Sequence, residues 1–134
     1  MAEETKKVDI SVDFNPQKIK PYAKNEILLN IKFKNNTSQD LYWGECDIVV
    51  APPLSLANDI ELNTGRMRIG IIKPSNEISK QAKLYTRPNN YPDEYKFKII
   101  GYFYDVDGAI SERVEKVIPI ICAEEKDSIS INSN

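Results

Sequence analysis

Hydrophobic and polar residues alternate along much of this chain with a period of two. Two runs show it most clearly: Val8, Ile10, Val12 and Phe14 in the first, and Ile27, Leu29, Ile31 and Phe33 in the second. Successive side chains of a β-strand point to opposite faces, so this pattern predicts strands with one buried face. No apolar stripe with helical spacing has a useful length. We therefore expect an all-β protein.

Clusters of Gly, Pro, Asn and Asp divide the chain into seven or eight short strands. Beyond the first two, we expect strands within residues 41–50, 67–73, 78–86, 94–106 and 110–122. Residues 54–65 show only a weak pattern, which fits a short helical turn from Ser55 or an irregular crossing. This arrangement is typical of a β-sandwich of mostly antiparallel strands in two sheets. We expect the sandwich over residues 7–122, between flexible polar ends at 1–6 and 123–134.

The third strand has a break in its alternation. Its apolar residues fall into two sets of opposite parity, Leu41 and Trp43 in one, and Cys46, Ile48 and Val50 in the other. A β-bulge near Gly44 would add one residue and turn both sets towards the core. This interpretation makes Trp43 a core residue. The alternative is an outward aromatic platform formed by Tyr42 and Trp43.

The segment 102–115, YFYDVDGAISERVE, allows two interpretations. Asp105, Asp107 and Gly108 match part of a calcium-binding loop, but the first and last ligand positions of such a loop fall on Phe103 and Val114. A β-hairpin with a two-residue turn at Asp107-Gly108 needs no ligands, because this dipeptide readily adopts positive φ. We favour the hairpin. It predicts three facing pairs: Gly101 with Val114, Phe97 with Ile118, and Tyr95 with Ile120.

Charge and composition exclude several classes of function. The 134 residues include 18 basic and 20 acidic ones, spread over both halves, so neither nucleic acid nor membrane insertion is indicated. Histidine is absent, which removes the commonest general base and metal ligand. None of the common nucleotide-binding, hydrolase or metal-binding motifs is present. We therefore expect no catalytic activity, no cofactor and no metal site.

The two cysteines and the N-terminus suggest the compartment. Cys46 and Cys122 are too few for a disulfide scaffold and are interpreted as small buried hydrophobic residues. The N-terminal residues MAEETKKVDI lack the apolar run of a signal peptide. We expect a cytoplasmic protein, or an extracellular one if the chain is the trimmed part of a secreted protein.

Three stretches resemble a known class of domain: ILLNIKFKNNTSQDL, IIKPSNEIS and PDEYKFKIIGYFYD. Through them the chain resembles immunoglobulin-like modules of the cell-adhesion-related (CARDB-like) kind, in archaeal and bacterial β-sandwich proteins. The resemblance covers residues 8–122. It implies a tyrosine corner at Tyr95, whose hydroxyl would tie the chain back on itself.

The functional hypothesis is a non-catalytic module that binds a protein partner or a second copy of itself. The candidate interaction face consists of Lys96, Lys98, Tyr102, Tyr104 and Arg113. An edge strand, at residues 8–14 or 110–122, is another route to a partner. One alternative is carbohydrate or small-ligand binding by Trp43, Tyr42, Tyr85 or Tyr91. Another is a sandwich stabilised by calcium at Asp105 and Asp107.

Overall fold

This computed structural model describes residues 7–41 and 43–124. Every regular secondary-structure element among them is a β-strand. The nine strands found there are β1 Val8–Asn15, β2 Lys18–Ile19, β3 Asn25–Asn35, β4 Trp43–Val49, β5 Leu54–Ser55, β6 Thr64–Arg68, β7 Glu77–Thr86, β8 Asp93–Tyr104 and β9 Ile110–Cys122. The prediction of an all-β chain is confirmed. The predicted count was lower because β2 and β5 are only two residues long. Flexible ends were predicted at 1–6 and 123–134, and all of these residues except 123 and 124 lie outside the described residues.

Two sheets contain these strands. The four-stranded sheet has the order β1-β3-β7-β5, and the five-stranded sheet has the order β2-β9-β8-β4-β6. All pairs are antiparallel except β2 with β9, which are parallel. No helix among the described residues is long and apolar enough to span a bilayer.

The inner faces of the two sheets form one hydrophobic core, and β3 shows how the sequence encodes it. Ile27, Leu29, Ile31 and Phe33 are fully buried, whereas the residues between them are exposed or half-buried. Phe33 packs edge-on against Phe103 of the opposite sheet, with ring centroids 6.1 Å apart. The apolar side chains at alternate positions therefore form the contact between the two sheets.

The predicted bulge near Gly44 is wrong. β4 pairs with β8 in an unbroken register from Trp43 to Val49. Gly44 itself faces the core, where an added Cβ would lie 3.1 Å from the Cβ of Ile69 and from the Phe103 ring. Leu41 reaches the core ahead of β4, from an isolated bridge to Ile72. Trp43 consequently faces outward and is half-buried, so its predicted core position is also wrong.

The segment between β4 and β7 differs from the expectation as well. The strand expected at 67–73 ends at Arg68, and only Ile72 beyond it forms a bridge. After β5 the chain crosses irregularly, without a helical turn. The Ser55 hydroxyl holds this crossing, because it donates to the Ile60 carbonyl at 2.7 Å and accepts the N–H of Leu62 at 3.0 Å. Local hydrogen bonding by this serine explains the absence of any periodic pattern here.

The hairpin of β8 and β9 confirms the three predicted pairs, although its turn is different. The loop has three residues, 106–108, closed by a hydrogen bond from the Gly108 N–H to the Asp105 carbonyl at 3.0 Å. Gly108 has a φ of +84°. The register then shifts between Phe103 and Tyr104, because Ser111 is an extra residue without a facing partner. This bulge offsets the longer turn and restores the predicted faces.

Besides the two-residue strands β2 and β5, which end their sheets, four strands leave an edge open among the described residues. β1 and β6 are outermost in their sheets. β9 is open apart from Ile121 and Cys122, which pair with β2. β7 is open over residues 77–84, because β5 pairs only with Tyr85 and Thr86. The sequence predicts the edges at β1 and β9, but not those at β6 and β7.

Candidate functional site

The outward side of the five-stranded sheet carries the five residues of the candidate interaction face. Alternation along β8 places four of them there, and Tyr102 faces Arg113 of β9 directly. The tyrosines and Lys98 are half-buried, whereas Lys96 and Arg113 are exposed. We call this side of β4, β6, β8 and β9 the outward face. The five candidate residues are Lys96, Lys98, Tyr102, Tyr104 and Arg113.

Tyr102 lies at the centre of the outward face, between two guanidinium groups. The Arg66 Cζ is 5.6 Å from the centroid of its ring, and the Arg113 Cζ is 5.9 Å from it. Both distances fall within the range of cation–π attraction. The sequence analysis missed Arg66 because β6 was expected further along the chain. The alternation of Thr64, Arg66 and Arg68 with inward Gly65 and Met67 is the signal that identifies this strand.

Arg66 is held in place by carboxylates of the neighbouring strand. Its Nε donates to Asp47 Oδ1 at 2.7 Å and its Nη2 to Asp47 Oδ2 at 3.1 Å. Its Nη1 also lies 3.2 Å from Glu45 Oε1. The hydrogen bond with Asp47 raises the pKa of Arg66. This two-point contact fixes the plane of the guanidinium, which a lysine could not reproduce.

A second charge cluster lies on the other side of Tyr102. Glu115 accepts from the Arg113 Nη2 at 3.2 Å and lies 3.4 Å from the Lys98 ammonium. The hydrogen bond from Arg113 lowers the pKa of Glu115, and the same bond raises the pKa of Arg113. The two clusters therefore fix the cations on both sides of the tyrosine ring.

Trp43 is the other aromatic anchor of the outward face. Its Nε1–H donates to Glu45 Oε2 at 2.7 Å, and the Arg68 Cζ lies 4.6 Å above its ring. Tyr104 faces it across the strand pair. Among the described residues no carboxylate lies within 4 Å of Arg68. The Tyr42 part of the proposed platform lies outside the described residues.

The remaining aromatic candidates do not join Trp43. Tyr85 lies on the outer side of the four-stranded sheet, opposite Glu26. Tyr91 lies in the connection from β7 to β8, where its ring packs edge-on against that of Tyr22 at 6.0 Å. The aromatic residues considered for carbohydrate binding are thus spread over three separate surfaces.

The Tyr95 hydroxyl ties the chain back by four residues, at the position where the resemblance implies a tyrosine corner. It donates to the Tyr91 carbonyl at 2.6 Å and accepts the Tyr91 N–H at 2.9 Å. Its ring packs against the core at the start of β8. Tyr95 therefore fixes where the chain enters β8, the strand that carries most of the candidate interaction face.

Both cysteines are buried and unpaired, as expected. Burial raises the pKa of the Cys46 thiol to about 12 and also raises the pKa of Cys122. The reactive thiolate form is disfavoured at both positions. No group of three or more His, Cys, Asp or Glu side chains within residues 7–41 and 43–124 is placed to hold a metal ion. In the β8–β9 turn, Asp105 Oδ1 instead accepts the N–H groups of Asp107 and Ala109, at 2.9 and 3.1 Å.

Comparisons with known proteins give no family and a weak structural likeness. No protein-family model matches the chain, and no curated protein matches it. The chain is similar to the crystal structure of Spo0M, a sporulation control protein from Bacillus subtilis, with a TM-score of 0.45 and 13% sequence identity. The match covers 97% of this chain and 56% of the Spo0M chain, so this chain spans little more than half the length of that protein.

Proposed function

We propose that this chain is an immunoglobulin-like module that binds another protein through its outward face and has no catalytic role. Strand order supports the immunoglobulin-like assignment. The order β1-β3-β7-β5 corresponds to A-B-E-D of such domains, and β9-β8-β4-β6 corresponds to G-F-C-C′. The Tyr95 hydrogen bonds also match a tyrosine corner at the start of strand F.

The observation that carries the proposed function is the ordered array of aromatic rings and guanidinium groups on the outward face. Tyr102 lies between Arg66 and Arg113, and Trp43 lies beneath Arg68. Tyr, Trp and Arg are the residues that most often dominate binding energy at protein interfaces. Here the ion pairs already fix most of these side chains, so binding would lose little side-chain entropy.

Affinity capture with matched variants tests this proposal. The tagged chain would be incubated with lysate from its source organism, and captured proteins would be quantified by mass spectrometry. We expect a partner retained by the wild type and lost by about tenfold or more with Tyr102→Ala. Tyr85→Ala, on the outer side of the other sheet, is the control and should retain it.

Two results would contradict the proposal. One is a partner that both variants capture equally well. The other is the absence of any enriched protein together with a strictly monomeric chain by light scattering at high concentration, since self-association through this face is the homotypic form of the same proposal.

Carbohydrate or small-ligand binding is the second candidate function. The outward position of Trp43 favours it, because a half-buried indole on a sheet can stack on a ligand. Arg68 covers one side of that ring, so a ligand would stack on the other side or in place of the guanidinium. Quenching of tryptophan fluorescence by added sugars, absent for a protein-only interface, distinguishes the two functions.

A further inference from the structure

The open edge of β7 is a second surface with the features of a binding site. Residues 77–84 pair with β3 on one side, and no strand of the described chain pairs with them on the other. Alternate N–H and C=O groups along this edge therefore face outward from the sheet. Such an edge can accept an extended segment of another protein as an additional strand.

An apolar cavity opens beside this edge, between the two sheets. Its volume is about 190 Å³, and its walls are formed by the apolar side chains of Ile48, Leu56, Met67 and Ala82, with Gly65 and the side chains of Arg66 and Lys83 at its margin. β7 belongs to the four-stranded sheet and β6 to the five-stranded sheet, and both edges are open here. Two inward residues, Met67 of β6 and Ala82 of β7, are accordingly only half-buried along this seam between the two strands. A strand added to β7 would direct alternate side chains into it.

Lys80 supplies a charge at this seam. Ile78 and Ala82, two residues away on either side, pack against the core, so Lys80 shares their inward parity and faces Ile31 of β3. It is half-buried. Its positive charge partly opposes the rise that burial causes in the pKa of the Cys46 thiol. Within the described part of the chain no carboxylate lies within 4 Å of its ammonium group.

A lysine at an inward position of an edge strand opposes indiscriminate pairing, because an added apolar strand would bury its charge without a partner. Lys116 of β9 has the same parity on another open edge, but it is exposed. Lys80 differs because it is half-buried and lies two residues from Ala82, which lines the cavity. An acidic side chain on an added strand would neutralise it, whereas an apolar or basic one would not.

We propose that the β7 edge binds an extended protein segment that places an acidic side chain opposite Lys80 and an apolar side chain, two positions along, in the cavity beside Ala82. The spacing follows from strand geometry, since alternate residues of both strands face the same side. The site lies on a different edge of the sandwich from the outward face, although Arg66 lines both, and it does not depend on the function proposed for that face.

Two synthetic peptides test the proposal on the full chain. One is the acetylated and amidated heptapeptide Thr-Leu-Thr-Glu-Thr-Leu-Thr, whose symmetric pattern serves either strand direction. The other has Lys in place of Glu. Binding would be followed by amide chemical shifts of the isotopically labelled chain. We expect the Glu peptide to bind at least about tenfold more tightly than the Lys peptide, with shifts and slowed amide exchange in residues 77–84.

Three variants separate the role of Lys80 from general charge effects. Lys80→Glu should reverse the preference between the peptides, and the milder Lys80→Gln should abolish it. Lys116→Glu, the same substitution at the matching position of β9, should leave the preference unchanged. Circular dichroism establishes that each variant is folded.

Several results would overturn the proposal. They are equal binding of both peptides to the wild type, no binding of the Glu peptide at concentrations up to about 5 mM, and perturbations that map to β1 or β9 instead of β7. A preference that Lys80→Gln and Lys80→Glu leave intact would also overturn it.

Discussion

Single polar side chains hold several of the connections between strands. The amide Nδ2 of Asn35 donates to the carbonyls of Gln39 and Ile72, both at 2.8 Å. The amide of Asn90, which is fully buried, donates to the Lys20 carbonyl at 2.8 Å and accepts the Ala23 N–H at 3.3 Å. These contacts satisfy backbone groups that the sheets leave unpaired. Each contributes about 0.5–1.5 kcal/mol to the free energy of unfolding.

Tyr95→Phe tests the largest such contribution that we assign to one hydroxyl. The substitution removes both hydrogen bonds to Tyr91 and keeps the ring that packs on the core. We expect the free energy of unfolding in urea to fall by about 1–2 kcal/mol. Tyr85→Phe is the control, because its hydroxyl has no hydrogen-bond partner among the described residues. Equal stability of the two variants would contradict the assigned role of Tyr95.

At the scale of elements, the position of β4 depends on Gly44. The strand runs straight past β8 because the inward side of this residue is occupied by Ile69, Phe103 and the Gly70 carbonyl. A larger residue would push β4 away from these neighbours. The straight register in turn keeps Trp43 and Glu45 on the outward face.

Gly44→Ala is therefore expected to destabilise the protein. The new Cβ would lie 3.1–3.2 Å from backbone and ring atoms that cannot easily move, so we expect a loss of about 1–3 kcal/mol in urea unfolding. Gly65→Ala is the matched control on β6. Its Cβ would meet only the Cδ1 methyl of Leu56, which can rotate away. A Gly44→Ala variant as stable as Gly65→Ala would contradict this packing.

Sequence pattern predicted the long strands well and their irregularities poorly. The alternation in β1 and β3 identified their buried faces, because a strand with one buried face has an apolar residue at every second position. The hairpin pairs were also correct, although the turn has three residues and a bulge at Ser111. A longer turn and a bulge cancel in register, so the apolar pattern cannot distinguish them from a short turn. β5 was missed and β6 was placed too far along the chain, because their positions depend on Ser55 and on distant pairing.

At the scale of the whole molecule, the outward face is assembled from four strands, of which only β8 and β9 are neighbours in sequence. The sequence predicted its β8 and β9 part, because a hairpin makes those neighbours local. The other part comes from β4 and β6, which add Trp43, Arg66 and Arg68. Their contribution required the pairing of β4 with β8, which alternation within one strand does not specify. The edge of β7 and its seam with β6 likewise arise only from packing of the two sheets.

Fluorescence of the single tryptophan most directly tests the central claim, that the five-stranded sheet presents Trp43 outward beneath Arg68. Acrylamide quenching would be measured for the wild type and Arg68→Ala. We predict that the wild type is quenched moderately, and that Arg68→Ala is quenched more strongly because the guanidinium no longer covers the ring. A blue-shifted emission that resists quenching in both proteins would place Trp43 in the core and contradict the account.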